Sequence, residues 1–306
     1  MNKKEWFTPA ENGDGEIYSC MFSPDEAAPK GIVVIVHGMS GHSGQYTDFC
    51  EELCTLKFVT SAIDLQGHGK SQNHPGHFGN NGWFYMQTDL RNHISKVKET
   101  YPDIPVFLFG HSMGSFMARS YVVRFPKDVD ALIISGTAGH SFTIYPVIAY
   151  VWLRRLFLGG SYVDMSIGKG MVIKYLRRIK NPINYYAWCS TDDQCCIEHA
   201  EDPLNVFFTL DSYYELFNSA SKLRPDKWAV KVPKIPVYIF SGSEDPVGNY
   251  GKGPKEVYEW LQKTGHDTTL HIYEGYRHEM LWDKNKNDVR RTLYDWIKEK
   301  TSHIVI

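Results

Sequence analysis

LFGHSMGSFMARSY, residues 108–121, runs from an apolar segment typical of a buried strand, through a glycine-containing turn, into a helical pattern. The segment Gly110–Gly114 fits the pattern G-x-S-x-G and places Ser112 where the strand gives way to the helix. Side chains at either flank of so sharp a turn would collide with neighbouring backbone, and glycine avoids that collision. The first N–H groups of the following helix favour negative charge beside the serine. We therefore predict that Ser112 is a catalytic nucleophile.

Short apolar runs that end in glycine alternate with helical patterns over much of the chain. These runs are rich in β-branched residues, which is typical of strands that are buried on both faces of a parallel sheet. Their alternation with helices predicts a doubly wound, mostly parallel α/β sheet. Residues 4–23 predict an antiparallel hairpin at its edge, because two strand patterns flank a glycine-rich turn. The five apolar runs are 31–38, 58–67, 105–110, 131–136 and 236–242.

The alternation stops between about His140 and Pro233, where helical patterns rich in aromatic residues replace the strand patterns. We predict that residues 140–233 form a helical cap inserted over the carboxyl edge of the sheet, where α/β folds bind their ligands. Residues 1–139 and 234–306 then form the core domain. Four aromatic side chains of the cap are predicted to line a substrate pocket: Tyr145, Trp152, Trp188 and Phe207.

A serine hydroxyl is a weak nucleophile and needs a base that is oriented by a third group. Asp245 follows the apolar run VYIFSG, and His278 follows the last strand pattern, TLHIY. We predict that His278 is the base and Asp245 its acid partner, because serine, acid and base then occur in an order known for such triads. Glu244 is the competing acid. Asp245 is favoured because it directly precedes Pro246, in the turn that closes the loop.

An oxyanion site completes this chemistry, since acyl transfer creates negative charge on the carbonyl oxygen. One backbone N–H is expected from the residue after the nucleophile, Met113, and one from the loop after an early strand. That loop begins with His37 and Gly38, so the second donor is predicted to be Met39.

Five motifs in this order resemble the monoacylglycerol lipase and lysophospholipase-like branch of the α/β-hydrolases, which includes the serine aminopeptidase group. The resemblance covers residues 31–135 and 235–298. It implies an α/β-hydrolase fold with a cap that shapes an acyl pocket, triad roles for Ser112, Asp245 and His278, and ester hydrolysis without cofactor or metal. The motifs are HGMSGHSGQY (37–46), DLQGHGKS (64–71), GHSMG (110–114), SGSEDPVG (241–248) and GYRHE (275–279).

Two alternatives to an esterase stay open at this point. The first is a serine aminopeptidase on the same fold, which would need cap carboxylates to hold the amine of its substrate. The second is a ligand-binding module without catalysis on a hydrolase scaffold. The cap carboxylates that could serve an aminopeptidase are Asp192, Asp193, Glu198, Glu201 and Asp202.

Composition limits the kinds of partner that this chain is expected to bind. Its 306 residues carry a formal net charge of −2, with no basic run that would follow a phosphate backbone, so a small ester or lipid-like substrate is expected rather than nucleic acid. The first residues lack the apolar block of a secretory signal, which predicts a cytoplasmic protein.

The apolar run 146–160 is interrupted by Arg154 and Arg155. This pattern allows either a transient contact with a membrane surface or a cap helix with solvated arginines.

The six cysteines are expected to be free thiols, because they are too few for a disulfide framework in a chain of this length. Cys189, Cys195, Cys196 and His199 lie close together in sequence but lack the paired spacing of zinc modules. We therefore predict ordinary packing for them and no metal site.

Overall fold

The computed structural model describes residues 1–25 and 28–304. Its strands are β1 (Asn2–Pro9), β2 (Glu16–Ser23), β3 (Ile32–Val36), β4 (Val59–Ile63), β5 (Val106–His111), β6 (Ala131–Ser135), β7 (Val237–Gly242) and β8 (Thr268–Tyr273). Its α-helices are α1 (Thr47–Thr55), α2 (Gly82–Thr100), α3 (Met113–Arg124), α4 (Ile144–Leu158), α5 (Met165–Leu176), α6 (Asp193–Glu201), α7 (Leu210–Ser221), α8 (Pro225–Trp228), α9 (Lys252–Lys263) and α10 (Lys286–Ile304). Short 3-10 helices span Ser43–Tyr46 and Met280–Trp282.

The strands form one sheet in the order β1-β2-β4-β3-β5-β6-β7-β8. β1 and β2 pair antiparallel with each other, β2 pairs antiparallel with β4, and every pair from β4 to β8 is parallel. Each predicted apolar run overlaps one of the parallel strands β3 to β7, and the predicted hairpin is β1 with β2 at the edge. The predicted α/β-hydrolase architecture is thereby confirmed.

Helices cover both faces of the sheet, as the fully buried strands β3 to β7 require. In β3 the side chains of Ile32, Val34 and Val36 enter one core cluster with α2, α3 and α9, whereas Val33 and Ile35 enter the other with α1 and α10. This division follows from the alternation of side chains along a strand. Because all of these parallel strands run the same way, their carboxyl ends and the loops that follow them meet at one edge.

One helix boundary differs from the sequence expectation. Proline favours the first position of a helix and would place the start of α9 at Pro254, but α9 begins at Lys252, with Gly251 in the left-handed conformation as its N-cap (φ 81°). Proline is tolerated in the first turn because its missing N–H would have no partner within the helix.

Helices α4 to α8 lie between β6 and β7, in the stretch that the sequence assigns to a cap; the limits of that domain remain a prediction. The arginines of α4 are half-buried rather than fully solvated, because each forms an ion pair. Arg154 pairs with Asp164 (Nε to Oδ2, 2.7 Å) and Arg155 with Asp211 (Nη2 to Oδ1, 2.5 Å). In the described part of the chain, no helix has the length and apolarity needed to cross a membrane.

Candidate active site

Ser112 occupies the junction between β5 and α3 in an uncommon backbone conformation. Its φ of 53° and ψ of −117° are unfavourable for a residue with a side chain, and such strain persists only where the surroundings impose it. The Ser112 N–H donates to the carbonyl of Ser135 at the end of β6 (2.9 Å). The neighbouring Ser115 is fully buried, and its hydroxyl donates to the Ser112 carbonyl (2.6 Å), so Ser115 is not the exposed serine of this turn.

The glycines of the turn meet a steric requirement. A Cβ on Gly110 would lie 2.2 Å from the carbonyl oxygen of Gly114, and a Cβ on Gly114 would lie 2.2 Å from that of Val36. Both contacts are against backbone, which cannot move aside easily. A Cβ on Gly38 would lie 3.2 Å from the Cβ of Ser112, which brings the loop after β3 directly against the serine.

The two candidate partners of the serine meet each other in the interior. Nδ1 of His278, in the loop after β8, lies 3.0 Å from Oδ1 of Asp245, in the loop after β7. Asp245 also accepts the Val247 N–H (2.9 Å) and the Ser241 hydroxyl (3.1 Å). Both side chains are buried, with 1% of His278 and none of Asp245 exposed. The carboxylate binds Nδ1, so Nε2 on the opposite side of the ring stays available to another group.

Burial and pairing act in opposite directions on these two groups. Burial alone would raise the pKa of Asp245, but the charge and N–H of His278 outweigh it and lower the pKa. For His278, burial would lower the pKa, but the Asp245 carboxylate outweighs burial and raises it. Each group therefore stabilises the charged form of the other.

The end of β6 lies between His278 and the serine turn. A Cβ on Gly136 would lie 2.8 Å from Cε1 of His278, and the preceding residue, Ser135, accepts the Ser112 N–H. Nε2 of His278 is buried and has no hydrogen-bond partner within residues 1–25 and 28–304. Glu244, the competing acid, is 56% exposed and lies near Arg277 instead, so the structure brings Asp245 and not Glu244 to the histidine.

His37 orients the loop that carries Met39. Its Nε2 accepts the Leu65 N–H (3.0 Å), so the ring proton is on Nδ1, which donates to the Gly38 carbonyl (2.7 Å). Burial lowers the pKa of His37 to about 3, so the ring is neutral. Because a trans peptide is planar, fixing the Gly38 carbonyl also aims the Met39 N–H in the opposite direction.

Both predicted oxyanion donors are free to bind a ligand atom. Neither the Met39 N–H nor the Met113 N–H donates to an acceptor in the described residues. For Met113 this follows from its place at the first position of α3, where a backbone N–H has no partner in the helix.

The predicted pocket residues are brought to different places. The Trp188 ring packs against His278 (centroids 5.1 Å apart). The Arg277 guanidinium holds the Trp188 segment by donating to the carbonyls of Ala187 (2.6 Å) and Ser190 (2.8 Å). The other three residues are about half exposed on the cap, and their pocket role remains a prediction: Tyr145, Trp152 and Phe207.

Sequence reasoning missed two groups beside the histidine. His111 packs against His278 (ring centroids 4.7 Å apart), and its Nε2 lies 3.1 Å from Oε1 of Glu279. Among the described residues, His111, His278 and Glu279 are the group whose ligand-type atoms all lie within 4.8 Å of one another. Nδ1 of each histidine contacts a protein oxygen, and the absence of a metal at this cluster remains a prediction.

A family model described as "Serine aminopeptidase, S33" matches residues 27–285. Human monoglyceride lipase is 26% identical over 301 residues, which cover 95% of this chain and 90% of that protein. A thermostable carboxyl esterase from Bacillus coagulans, solved with glycerol, is 32% identical and superposes over 100% of both chains with a TM-score of 0.91. A lipase solved in an open form shares the fold at 24% identity, with a TM-score of 0.90 over 98% of this chain and 99% of that one. The resemblance inferred from the motifs is confirmed, and the chain belongs to the serine aminopeptidase S33 family of α/β-hydrolases.

Proposed function

We propose that Ser112, His278 and Asp245 are the catalytic triad of this protein, with the N–H groups of Met39 and Met113 as its oxyanion hole. At the level of reaction class the protein is a serine ester hydrolase, in line with its esterase and monoglyceride lipase relatives. The observation that carries the triad is the buried contact of 3.0 Å between His278 and Asp245, beside the strained backbone of Ser112.

The reaction is a two-step acyl transfer. Nε2 of His278 takes the proton of the Ser112 hydroxyl while Oγ of Ser112 attacks the ester carbonyl. Asp245 stabilises the resulting imidazolium. The N–H groups of Met39 and Met113 bind the carbonyl oxygen as it becomes negative. His278 then protonates the leaving alkoxide, which departs as an alcohol. A water molecule, deprotonated by His278, attacks the acyl-enzyme, and the acid leaves as the Ser112 hydroxyl is restored.

The proposed substrate is an ester with a lipid-like acyl chain, such as a monoacylglycerol. Three mammalian relatives that match over most of this chain are named monoglyceride lipases. Aromatic and aliphatic side chains are abundant on the cap, which suits an acyl chain better than a polar substrate.

The cap is also proposed to touch a lipid surface through α4. Since Arg154 and Arg155 form ion pairs with residues of the cap, the apolar side chains of this helix are those that face outward. Exposed apolar area of this extent on a single helix is typical of a binding surface. The exposed side chains on and next to α4 are Phe142, Tyr145, Val147, Tyr150, Trp152, Leu153, Leu156, Phe157 and Leu158.

The aminopeptidase alternative is disfavoured by the cap carboxylates. Asp192 caps α6 through the Gln194 N–H, and Asp202 binds His42 (2.9 Å) and Gln45 (3.2 Å). The other three carboxylates are exposed: Asp193, Glu198 and Glu201. Carboxylates used for capping and loop attachment, or solvated, do not form an acidic site for a substrate amine. A buried histidine that is oriented by a carboxylate and keeps Nε2 free is the arrangement that activates a serine, which favours catalysis over a non-catalytic binding module.

The test is labelling by a fluorophosphonate, followed by hydrolysis assays on a panel of substrates. Wild type should be labelled and Ser112→Ala should not, with Ser115→Ala as the matched serine control that keeps labelling. The panel contains p-nitrophenyl esters of rising chain length, a monoacylglycerol, a lysophospholipid and an amino-acid arylamide. Equal labelling of wild type and Ser112→Ala would refute the triad, and preferred cleavage of the arylamide would replace the ester substrate with a peptide.

A further inference from the structure

The loop that carries His278 places a second carboxylate beside it. Glu279 turns its side chain inward: 12% of it is exposed, and Oε1 lies 3.1 Å from Nε2 of His111. An oxygen of Glu279 and a ring nitrogen of His278 lie within 4.8 Å of each other. Glu279 also anchors the loop, because its N–H donates to the Cys189 carbonyl (2.6 Å).

His111 connects this carboxylate to the catalytic ring. It ends β5 directly before Ser112, and its Nδ1 lies 3.1 Å from the hydroxyl of Ser135. A Cβ on Gly136 would come within 2.8 Å of Cε1 of His278 and 3.2 Å of Cε1 of His111, so the two rings share one tight space. A shift of His111 would therefore move His278.

Glu279 carries a negative charge in this position. Burial alone would raise its pKa, but the contact with His111 outweighs burial and holds the pKa at about 2. The Glu279 oxygen lies 3.1 Å from Nε2 of His111, which is close enough for the ring to interact electrostatically with the carboxylate. A negative charge at this range favours a positively charged His278.

The other charged or titratable groups near His278 have contacts of their own. Asp245 binds its Nδ1, and Arg277 donates to carbonyls of the cap segment. From the cap, His199 of α6 acts on Glu279, and burial in apolar surroundings keeps the Cys189 thiol protonated by raising its pKa. Asp245 and Glu279 are thus the two carboxylates that lie close enough to His278 to stabilise its positive charge.

We propose that Glu279 is a positioning residue for ester hydrolysis: paired with His111, it holds the His278 ring and stabilises the imidazolium that forms when Ser112 attacks. This inference rests on the proposed function, because it assigns a partner to the base of that triad. A purely structural role would also explain the burial of Glu279, but such a role would leave the protonation of His278 unchanged.

The test is the pH dependence of fluorophosphonate labelling and of kcat/KM for a short p-nitrophenyl ester. Glu279→Gln keeps the shape of the side chain and removes its charge. It should lower kcat about tenfold with KM nearly unchanged, and move the acid-limb midpoint to lower pH by about 0.5 to 1 unit, because the imidazolium loses a stabilising charge. Glu279→Asp should keep that midpoint near the wild-type value. Glu274→Gln is the matched control, an exposed carboxylate of the same loop that should change neither quantity.

The outcomes separate this inference from the proposed function. An unlabelled, inactive wild type would reject the triad, whereas an active wild type whose midpoint equals that of Glu279→Gln would reject only the role of Glu279. If Glu279→Gln does not fold, His111→Phe is measured instead. It keeps an aromatic ring beside His278 and removes the largest favourable influence on the Glu279 carboxylate, so that the pKa of Glu279 rises and, as its charge is lost, the midpoint should again fall. An unshifted midpoint in that variant also rejects the proposal.

Discussion

Nδ1 of His278 and Oδ1 of Asp245 lie 3.0 Å apart in the interior, although 33 positions separate the two residues in sequence. The loops after β7 and β8 bring them together because these neighbouring strands are parallel and end at the same edge of the sheet. The Asp245 carboxylate raises the pKa of His278, and His278 lowers the pKa of Asp245; in each case pairing outweighs the opposite effect of burial. This contact has consequences for both rate and pH dependence.

Asp245→Asn should lower kcat by about a thousandfold or more, because the ring loses the partner that fixes its proton on Nδ1. In wild type, His278 must be unprotonated to act as a base, and its pKa is raised, so the acid limb of kcat/KM should have its midpoint above about 6.5. Glu244→Gln is the matched control, since that exposed neighbour does not contact His278. A midpoint below 6, or near-normal turnover by Asp245→Asn, would contradict this pairing.

Gly114→Ala should destabilise the fold by at least about 2 kcal/mol and abolish labelling of Ser112. The new Cβ would lie 2.2 Å from the carbonyl oxygen of Val36 and 2.5 Å from that of His37, so α3 would have to move away from β3. Gly170→Ala on α5 is the control, because its Cβ meets no atom within 4 Å and alanine favours a helix. Urea denaturation measures both variants, and equal stability of Gly114→Ala and wild type would refute the steric argument.

Three buried histidines should make the fold sensitive to acid. Burial lowers the pKa of His37, His68 and His93 to about 3. As pH falls below about 6.5, the unfolded chain binds protons at these positions and the folded chain does not, so stability is lost. Each histidine contributes up to about 1.4 kcal/mol per pH unit to this loss between pH 6 and pH 4.

The measurement is the free energy of unfolding in urea at several pH values over that range. The free energy of unfolding of His93→Gln should fall less steeply with decreasing pH than that of wild type, by the amount that one titrating histidine contributes. This difference in slope is expected even if the variant is less stable at every pH. His74→Gln removes an exposed histidine and should keep the wild-type slope. If His93→Gln shows the same slope as wild type, this histidine is protonated in the folded state.

Local pattern was enough to predict the sheet and the serine turn. Runs of β-branched residues that end in glycine are typical of strands buried on both faces of a parallel sheet, and a side chain at either glycine of the turn would clash with nearby backbone. The position of Asp245 just before Pro246 also distinguished it from Glu244. These features depend on residues close together in sequence, so they can be inferred without a structure.

The rest depends on contacts between distant segments. No periodicity connects His111 with Glu279, and their pairing arises because β5 and the loop after β8 end at the same edge. In the same way, the arginines of α4 were expected in solvent because their partners, Asp164 and Asp211, belong to other parts of the cap. Which face of α4 points outward followed only once these ion pairs were known.

The outward face of α4 leads to the last prediction, which concerns substrates at a lipid surface. Leu156 and Phe157 are 61% and 79% exposed, and each would gain free energy by entering the boundary between headgroups and acyl chains. Replacing both by glutamate should lower hydrolysis of a monoacylglycerol in vesicles by about tenfold or more, since two apolar anchors are lost and two charges oppose insertion. Hydrolysis of a soluble p-nitrophenyl ester should stay the same, because both side chains are largely exposed on α4 whereas His278 is buried. Phe7→Glu, an equivalent change at an exposed position on β1, should affect neither assay. Flotation with vesicles measures binding directly, and equal flotation of wild type and the double variant would show that α4 is not the surface that meets lipid.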